Sequence, residues 1–294
     1  MKYCPLCRQN YSDNVSHCPR CGYDFLTPND MKPNDFKVYW QRAEIKTEAK
    51  STLSYIIGKA IFVCFIVSLI SIFGLTIQRN LFSETYNVIM NIHWLKFYII
   101  TGLTADEFFP YFFRCSAVAI LLGIFLYSPY LVGINRFFMK AINGEASLNN
   151  AFFPFQGKNY LKVLVRTFLY SLKLFLWTLL LIIPGIIRYY EYYMVPFIIS
   201  ENPGISDNEL YSLSRNMTEG HKWNLFVLDL SFILWMLLSY ATLGLAGIVW
   251  VFPYIHATKA HLYQKFRLFF LSNNLTTSAI LPGFNSAEGY ADIT

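Results

Sequence analysis

Charge is what this sequence has least of. Only 14% of its 294 residues are Asp, Glu, Lys or Arg, about half the usual quarter of a soluble domain. So few charges cannot cover a globule of this size, and an ordinary soluble domain does not fit. Disorder is excluded too, because it needs low hydrophobicity with high net charge, whereas 55% of this chain is hydrophobic and 18% aromatic. Groupings that carry catalysis are also missing: no Ser/His/Asp order, phosphate loop or paired carboxylates stand out. The net charge of +6 is not gathered into a basic face, which argues against nucleic acid as a partner.

The charge that exists is unevenly placed. Residues 1–59 hold nine Lys/Arg and six Asp/Glu, and the rest of the chain is dominated by long apolar segments. The simplest container for those is a bilayer. Met1 is succeeded almost at once by cysteines rather than by an apolar run. No signal peptide is therefore expected, and the N-terminus is expected in the cytoplasm, where thiols stay reduced and bind metal more often than they pair.

Cys4 and Cys7 form one C-x-x-C, and Cys18 and Cys21 form a second, ten residues further on. Four thiolates at about 2.3 Å satisfy a tetrahedral zinc ion and leave no open position, so the expected cofactor is a structural Zn2+. Gly22 directly after the last cysteine suits a tight knuckle. Residues 1–25 thus read as a zinc ribbon, similar to the short zinc-ribbon family with its C-P-x-C pairs. In small zinc-finger peptides metal binding contributes on the order of 10–16 kcal/mol to folding. Such ribbons offer a surface for a protein partner. Residues 26–52 read as a polar linker and a juxtamembrane helix, with Lys46 and Lys50 on one face.

Residues 53–267 read as a six-span membrane domain. The expected spans are Leu53–Ile77, one within Cys115–Phe138, Val163–Ile183, Ile186–Ser200, Trp223–Gly244 and Gly247–Tyr263. Pro184 and Gly185 are expected to make the turn between the third and fourth. With both termini inside, 19 Lys/Arg fall on the cytoplasmic side and only Arg79, Lys96 and Arg114 outside, which sets the orientation. The fold class is therefore an all-α integral membrane protein of three helical hairpins plus the zinc ribbon, in the cell membrane, with both termini cytoplasmic. Residues 268–294 read as a flexible C-terminal tail.

Several residues carry candidate chemistry. Asp229 lies two turns into the fifth span, where an unpaired carboxylate is costly; Lys173, His256 and Lys259 are its possible partners. Arg188 and Glu191 share a helical face and either pair or sit at an interface among tyrosines. Ser206 and Glu209 match a capping box opening a helix whose Leu210, Leu213 and Met217 share one face, so this helix is expected to lie on the inner membrane surface. Membrane-surface contacts are expected at Ser206, Glu209, His221, Lys222 and Trp223. A weak repeat links Gly123 to Pro129 and Gly247 to Pro253, each six residues apart, with Pro196 at a longer spacing. Such prolines kink helices and can shape a cavity or hinge, but they are common in membrane helices, and packing alone is the expected role.

Residues from Glu44 to Phe266 resemble the bacterial integral membrane family known as domain of unknown function 975. The resemblance rests on Glu44, Ile45, Lys46, Ala49 and Lys50; on Phe137 to Lys140 with Gly144 and Glu145; on LWTLLLIIPGII at 176–187, SRNMTEGHKW at 214–223 and LDLSFILW at 228–235; and on Thr242, Gly244, Pro253 and Tyr254. Asn143 departs from the pattern, which has a basic residue before the glycine. The resemblance implies a multi-pass bacterial membrane protein and supplies no reaction. The expectation is a non-enzymatic membrane component whose ribbon docks a partner. Its rival is a transporter or exporter of a small solute, lipid or peptide, and a lipid-modifying enzyme is a third reading.

Overall fold

The computed structural model describes residues 38–70, 121–273 and 275–283 with their side chains, and residues 2–4, 9–11 and 71–91 by backbone alone. Two short strands, β1 (Lys2–Cys4) and β2 (Gln9–Tyr11), pair antiparallel with Cys4 opposite Gln9. Cys7, Cys18 and Cys21 lie outside the described residues, and so does most of the expected ribbon. The other elements among the described residues are helical. The α-helices are α1 (Arg42–Asn91), α2 (Ser128–Ile142), α3 (Asn159–Leu180), α4 (Ile182–Glu191) and α5 (Val195–Glu201), then α6 (Asp207–Thr218), α7 (Lys222–Leu230), α8 (Ile233–Ala241) and α9 (Phe252–Ser272). Among the described residues, three stretches are long and apolar enough to cross a membrane: Arg42–Ile70, Asn159–Leu180 and Lys222–Ala241.

In α1 the juxtamembrane helix and the first span are one continuous helix. Ile45, Ala49, Leu53, Ile56, Ala60 and Val63 recur every three or four residues and are all buried, as one helical face requires. That helix lies along α9. Two interhelical ties fix the register: Lys265 to Glu44 at 2.9 Å and Thr52 to His261 at 2.8 Å.

The centre of the bundle is α2 with α5 and α9 around it. Tyr130, Phe137, Phe138, Ile198, Ile199, Tyr263 and Phe266 are wholly buried there. Gly133 is required in α2 because a Cβ at that position would run into the carbonyl of Ala151. The repeat around Pro129 and Pro253 has a structural counterpart. Each proline sits in the first turn of its helix, directly after a π-helical turn, Gly123–Tyr127 or Gly247–Val251. The missing N–H of proline falls where the ladder is already widened.

Four sequence expectations need correction. The third and fourth spans separate at Leu181, in extended conformation, and not at Pro184. Pro184 instead occupies the first turn of α4, where it removes no needed donor, and Gly185 lets Thr178 approach closely. The fourth span is not a single helix, since it breaks over residues 192–194. Its second half, α5, is buried in protein, with Phe197 to Glu201 inaccessible. The apolar face of α6 covers protein and not lipid: Leu210, Leu213 and Met217 are buried, and Tyr211 packs edge-on against Tyr192 at 5.0 Å. The tail is packed as far as residue 283. Leu281 is buried, and Gly283 N donates to Glu201 Oε1 at 2.8 Å.

Candidate functional site

Asp229 sits near the C-terminal end of α7, just before the Ser231–Phe232 turn. Lys259 of α9 reaches it at 3.2 Å, and the Tyr193 hydroxyl, from the turn between α4 and α5, donates to the same Oδ1 at 3.0 Å. The Lys259 ammonium also stands 4.9 Å from the Tyr193 ring centroid. Both charged side chains keep 23% of their surface exposed, so the pair sits at a boundary and not in a sealed core. Lys46 of α1 lies beside it, donating to Ser231 Oγ at 2.6 Å and covering the Phe232 ring at 4.6 Å.

Lys259 and Tyr193 also form one wall of a cavity of about 250 Å³. Asn135, Thr167, Ser171 and His256 add polar groups to a mainly apolar lining, the composition expected of a small-molecule pocket. A second cavity of about 300 Å³ lies between Cys64, Tyr127, Leu243, Ile248 and Phe252. Leu131 and His256 belong to the walls of both. The His256 ring stacks on Phe138, centroids 5.9 Å apart and planes 10° from parallel. Both π-helical turns contribute to the second cavity, through Tyr127 and Ile248. Such turns often occur at functional sites, because they displace side chains that a regular helix would bury.

A second charged cluster gathers at Glu191. Its carboxylate pairs with Arg188, one turn earlier on α4, and with Lys222 at 2.6 Å, while Arg215 approaches to 3.8 Å. Its carbonyl accepts from Ser214 at 2.9 Å and Thr218 at 3.3 Å. Glu191 therefore ties α4, α6 and α7 together at one level.

The structure brings Asp229 and Lys259 together and leaves Lys173 elsewhere, its ammonium 3.5 Å from the Tyr211 ring centroid. Burial pushes the Tyr211 phenol up to about 12, so Lys173 faces a neutral ring. Arg188 and Glu191 are paired, and Arg188 also lies over Trp177 at 4.5 Å. Ser206 caps α6, accepting from Glu209 N at 3.4 Å and donating to Glu209 Oε2 at 2.6 Å. Of the expected surface contacts, Trp223 is 72% exposed, Lys222 is engaged with Glu191, and His221 is buried edge-on against Phe266 at 5.3 Å.

Glu201 carries no signal in the sequence. Its side chain is fully buried and receives Arg267 Nε at 2.7 Å and the Tyr263 hydroxyl at 2.7 Å. The partners lie more than 60 residues away along the chain, and no local spacing announces them. Among the described residues no cluster of His, Cys, Asp and Glu could hold a metal ion.

No solved structure matches this chain. An uncharacterized protein of Haemophilus influenzae is 38% identical over 69 residues, covering 21% of this chain and 83% of the relative. The model of the family described as "Protein of unknown function (DUF975)" matches residues 178–268, which run from the tip of the α3–α4 hairpin through the Glu191 cluster and Asp229 to α9. On these two matches the chain belongs to that family.

Proposed function

We propose that this chain is a non-enzymatic component of the bacterial cell membrane that takes a small solute or lipid into the paired cavities beside Asp229 and Lys259. The hairpin roots and both termini face the cytoplasm, where the basic residues are concentrated. The observation that carries the reading is His256, which walls both cavities and has no hydrogen-bond partner among the described residues. A ligand would give that ring a partner, and Lys259 and Tyr193 would meet the polar end of the same ligand. At about 250 Å³ the first cavity fits a small solute or the polar end of a lipid, and these are the classes of the transporter reading it favours. The test is release of small molecules from proteoliposomes loaded with a cell extract and followed by mass spectrometry. A class of molecule is expected to leave faster than from protein-free vesicles, and His256→Leu and Asp229→Asn are expected to slow it. Equal release from all four preparations would sink the proposal.

A second reading keeps the N-terminal ribbon as the docking site for a protein partner. It is favoured by the β1–β2 pair, which places Cys4 opposite Gln9 on the strands that flank Cys7 in sequence. Four thiolates on a structural Zn2+ would complete it. Pull-down from membranes with and without Cys4→Ser and Cys18→Ser tests it, and identical partner sets would count against docking through the ribbon.

A further inference from the structure

The tips of the two described hairpins are apolar where a loop at a water surface would be polar. In the α3–α4 hairpin the chain turns through Leu179, Leu180, Leu181, Ile182 and Ile183, all exposed, with Ile183 at 74%. In the hairpin that joins α8 to α9 the turn exposes Tyr240, Leu243 and Leu245, with Leu243 at 96%. No Asp, Glu, Lys or Arg occurs from 174 to 187 or from 230 to 258.

Leu243 is the sharper observation. It has φ +53°, a left-handed conformation that normally selects Gly or Asn. A bulky apolar residue placed there, and packed against almost nothing, is unfavourable in water. In hydrocarbon the exposed side chain becomes an advantage.

The backbone of this tip is also closed on itself. The N–H groups of Thr242, Leu243, Gly244 and Leu245 donate to Leu238, Tyr240, Ser239 and Thr242 carbonyls at 2.8–3.1 Å. Ala246 N donates to Thr242 Oγ1 at 3.0 Å, and that hydroxyl bonds the Leu238 carbonyl at 3.0 Å. Thr178, near the other tip, likewise bonds the Leu174 carbonyl at 2.8 Å. Internal satisfaction of this kind is what a lipid environment demands.

Reach decides how far the tips go. Lys173 is held at the level of α6, whose Asp207, Glu209 and Arg215 are exposed. From Lys173 to Leu180 is roughly 10 Å at 1.5 Å per residue. From Ser231, level with the Lys46 ammonium, to Leu243 is roughly 18 Å on the same rise. The hydrocarbon core is about 30 Å thick, so neither hairpin crosses it. Basic side chains ring the roots, Lys162 and Arg166 on α3, Arg188 on α4 and Lys222 on α7, which suits the anionic headgroups of a cytoplasmic leaflet.

We propose that both hairpins are re-entrant: they enter from the cytoplasmic side, turn within the bilayer, and have the acyl chains of that leaflet as the partner of their exposed apolar tips. Asn159–Leu180 and Lys222–Ala241 are long enough to cross, yet partway along them Lys173 is held against Tyr211 of α6 and Asp229 is paired with Lys259. This inference does not depend on a ligand in the cavities.

The test places single cysteines, Leu181→Cys and Leu243→Cys, in the full chain and reads labelling by a membrane-impermeant sulfonated maleimide against the parent chain. Intact spheroplasts present the outer face, inverted vesicles present the cytoplasmic face, and detergent removes the bilayer. The expected result is loss of labelling from both faces and its recovery in detergent, with Asn208→Cys labelled only in inverted vesicles. Labelling of either tip in spheroplasts would show a crossing hairpin and overturn the proposal, and labelling of a tip in inverted vesicles would overturn it by showing that tip in cytoplasmic water. Failure in detergent as well, repeated with Ile183→Cys and Tyr240→Cys, would mean that protein covers the tips and would overturn it equally.

Discussion

Asp229 on α7 and Lys259 on α9 face each other at 3.2 Å, and Tyr193 closes the arrangement by donating to the same carboxylate oxygen. Lys259 and Tyr193 line the first cavity, so the pair joins two helices and Asp229 sets the charge of the lysine that a ligand would meet. A partly exposed pair gains less than a buried one, and removing one partner leaves the other desolvated without compensation. Asp229→Asn and Lys259→Met are each expected to lower stability by about 1–3 kcal/mol. The double variant should lose clearly less than the sum, because the interaction is counted once. Unfolding in nanodiscs followed by tryptophan fluorescence measures all three; strict additivity would mean that the two groups do not act as a pair.

Glu201 makes a harder demand on the fold. Its carboxylate is inaccessible and holds Arg267, the Tyr263 hydroxyl and the Gly283 amide together. Glu201→Ala strands a buried guanidinium and is expected to cost roughly 3–5 kcal/mol, whereas Glu201→Gln keeps the acceptor for Tyr263 and costs less. Residues 275–283 should then detach before the bundle melts. Limited proteolysis of the C-terminal segment, compared with global unfolding of the same variant, would show it. A variant in which both change together would place Glu201 in the core alone.

These two sites show what the sequence could and could not convey. The α1 span, the α3–α4 hairpin and the Ser206 cap are local patterns, set by apolar periodicity or by one side chain reaching a nearby backbone N–H, and they can be read in order along the chain. Asp229 is recognisable as a residue in need of a partner. Which lysine answers it depends on which helices are neighbours, and Lys173 and Lys259 look alike until α9 is placed against α7. Glu201 stands in an apolar run that reads as the end of a span, and its partners come from distant segments. Helix α6 misleads for a different reason: an amphipathic helix looks the same whether its apolar face covers lipid or the Tyr192 layer of its own protein. The place of His256 between two cavities gives no signal at all, because such a wall has no sequence pattern.

The N-terminal cysteines make a separate prediction about metal. Two C-x-x-C pairs predict one zinc per chain, bound by thiolates with no open position. Purified protein is expected to carry one equivalent by elemental analysis and to lose it in Cys18→Ser. A strong chelator should disorder residues 1–25 while leaving the helical signal intact, since binding and folding are coupled in domains this small. A chain purified without zinc that retains an ordered N-terminus would contradict the structural role.

Leu243 offers a substitution whose sign reports its surroundings. Asn tolerates the left-handed conformation far better than Leu, and relief of that strain is worth about 1 kcal/mol. In a water-exposed loop Leu243→Asn would therefore stabilise the protein, with no packing lost because the side chain touches little. Inside hydrocarbon the balance reverses. The variant gives up roughly 1.5–3 kcal/mol of apolar transfer and places an unsatisfied amide in lipid, at about 1–3 kcal/mol more. Together these penalties exceed the gain from strain relief, so Leu243→Asn is expected to destabilise the protein in nanodiscs by about 2 kcal/mol or more. Leu243→Gly separates the contributions, since it relieves the strain and loses the apolar side chain without adding a polar one; it should fall between the parent and Leu243→Asn. Stabilisation by Asn in a bilayer would place this turn in water and leave the left-handed leucine without a reason.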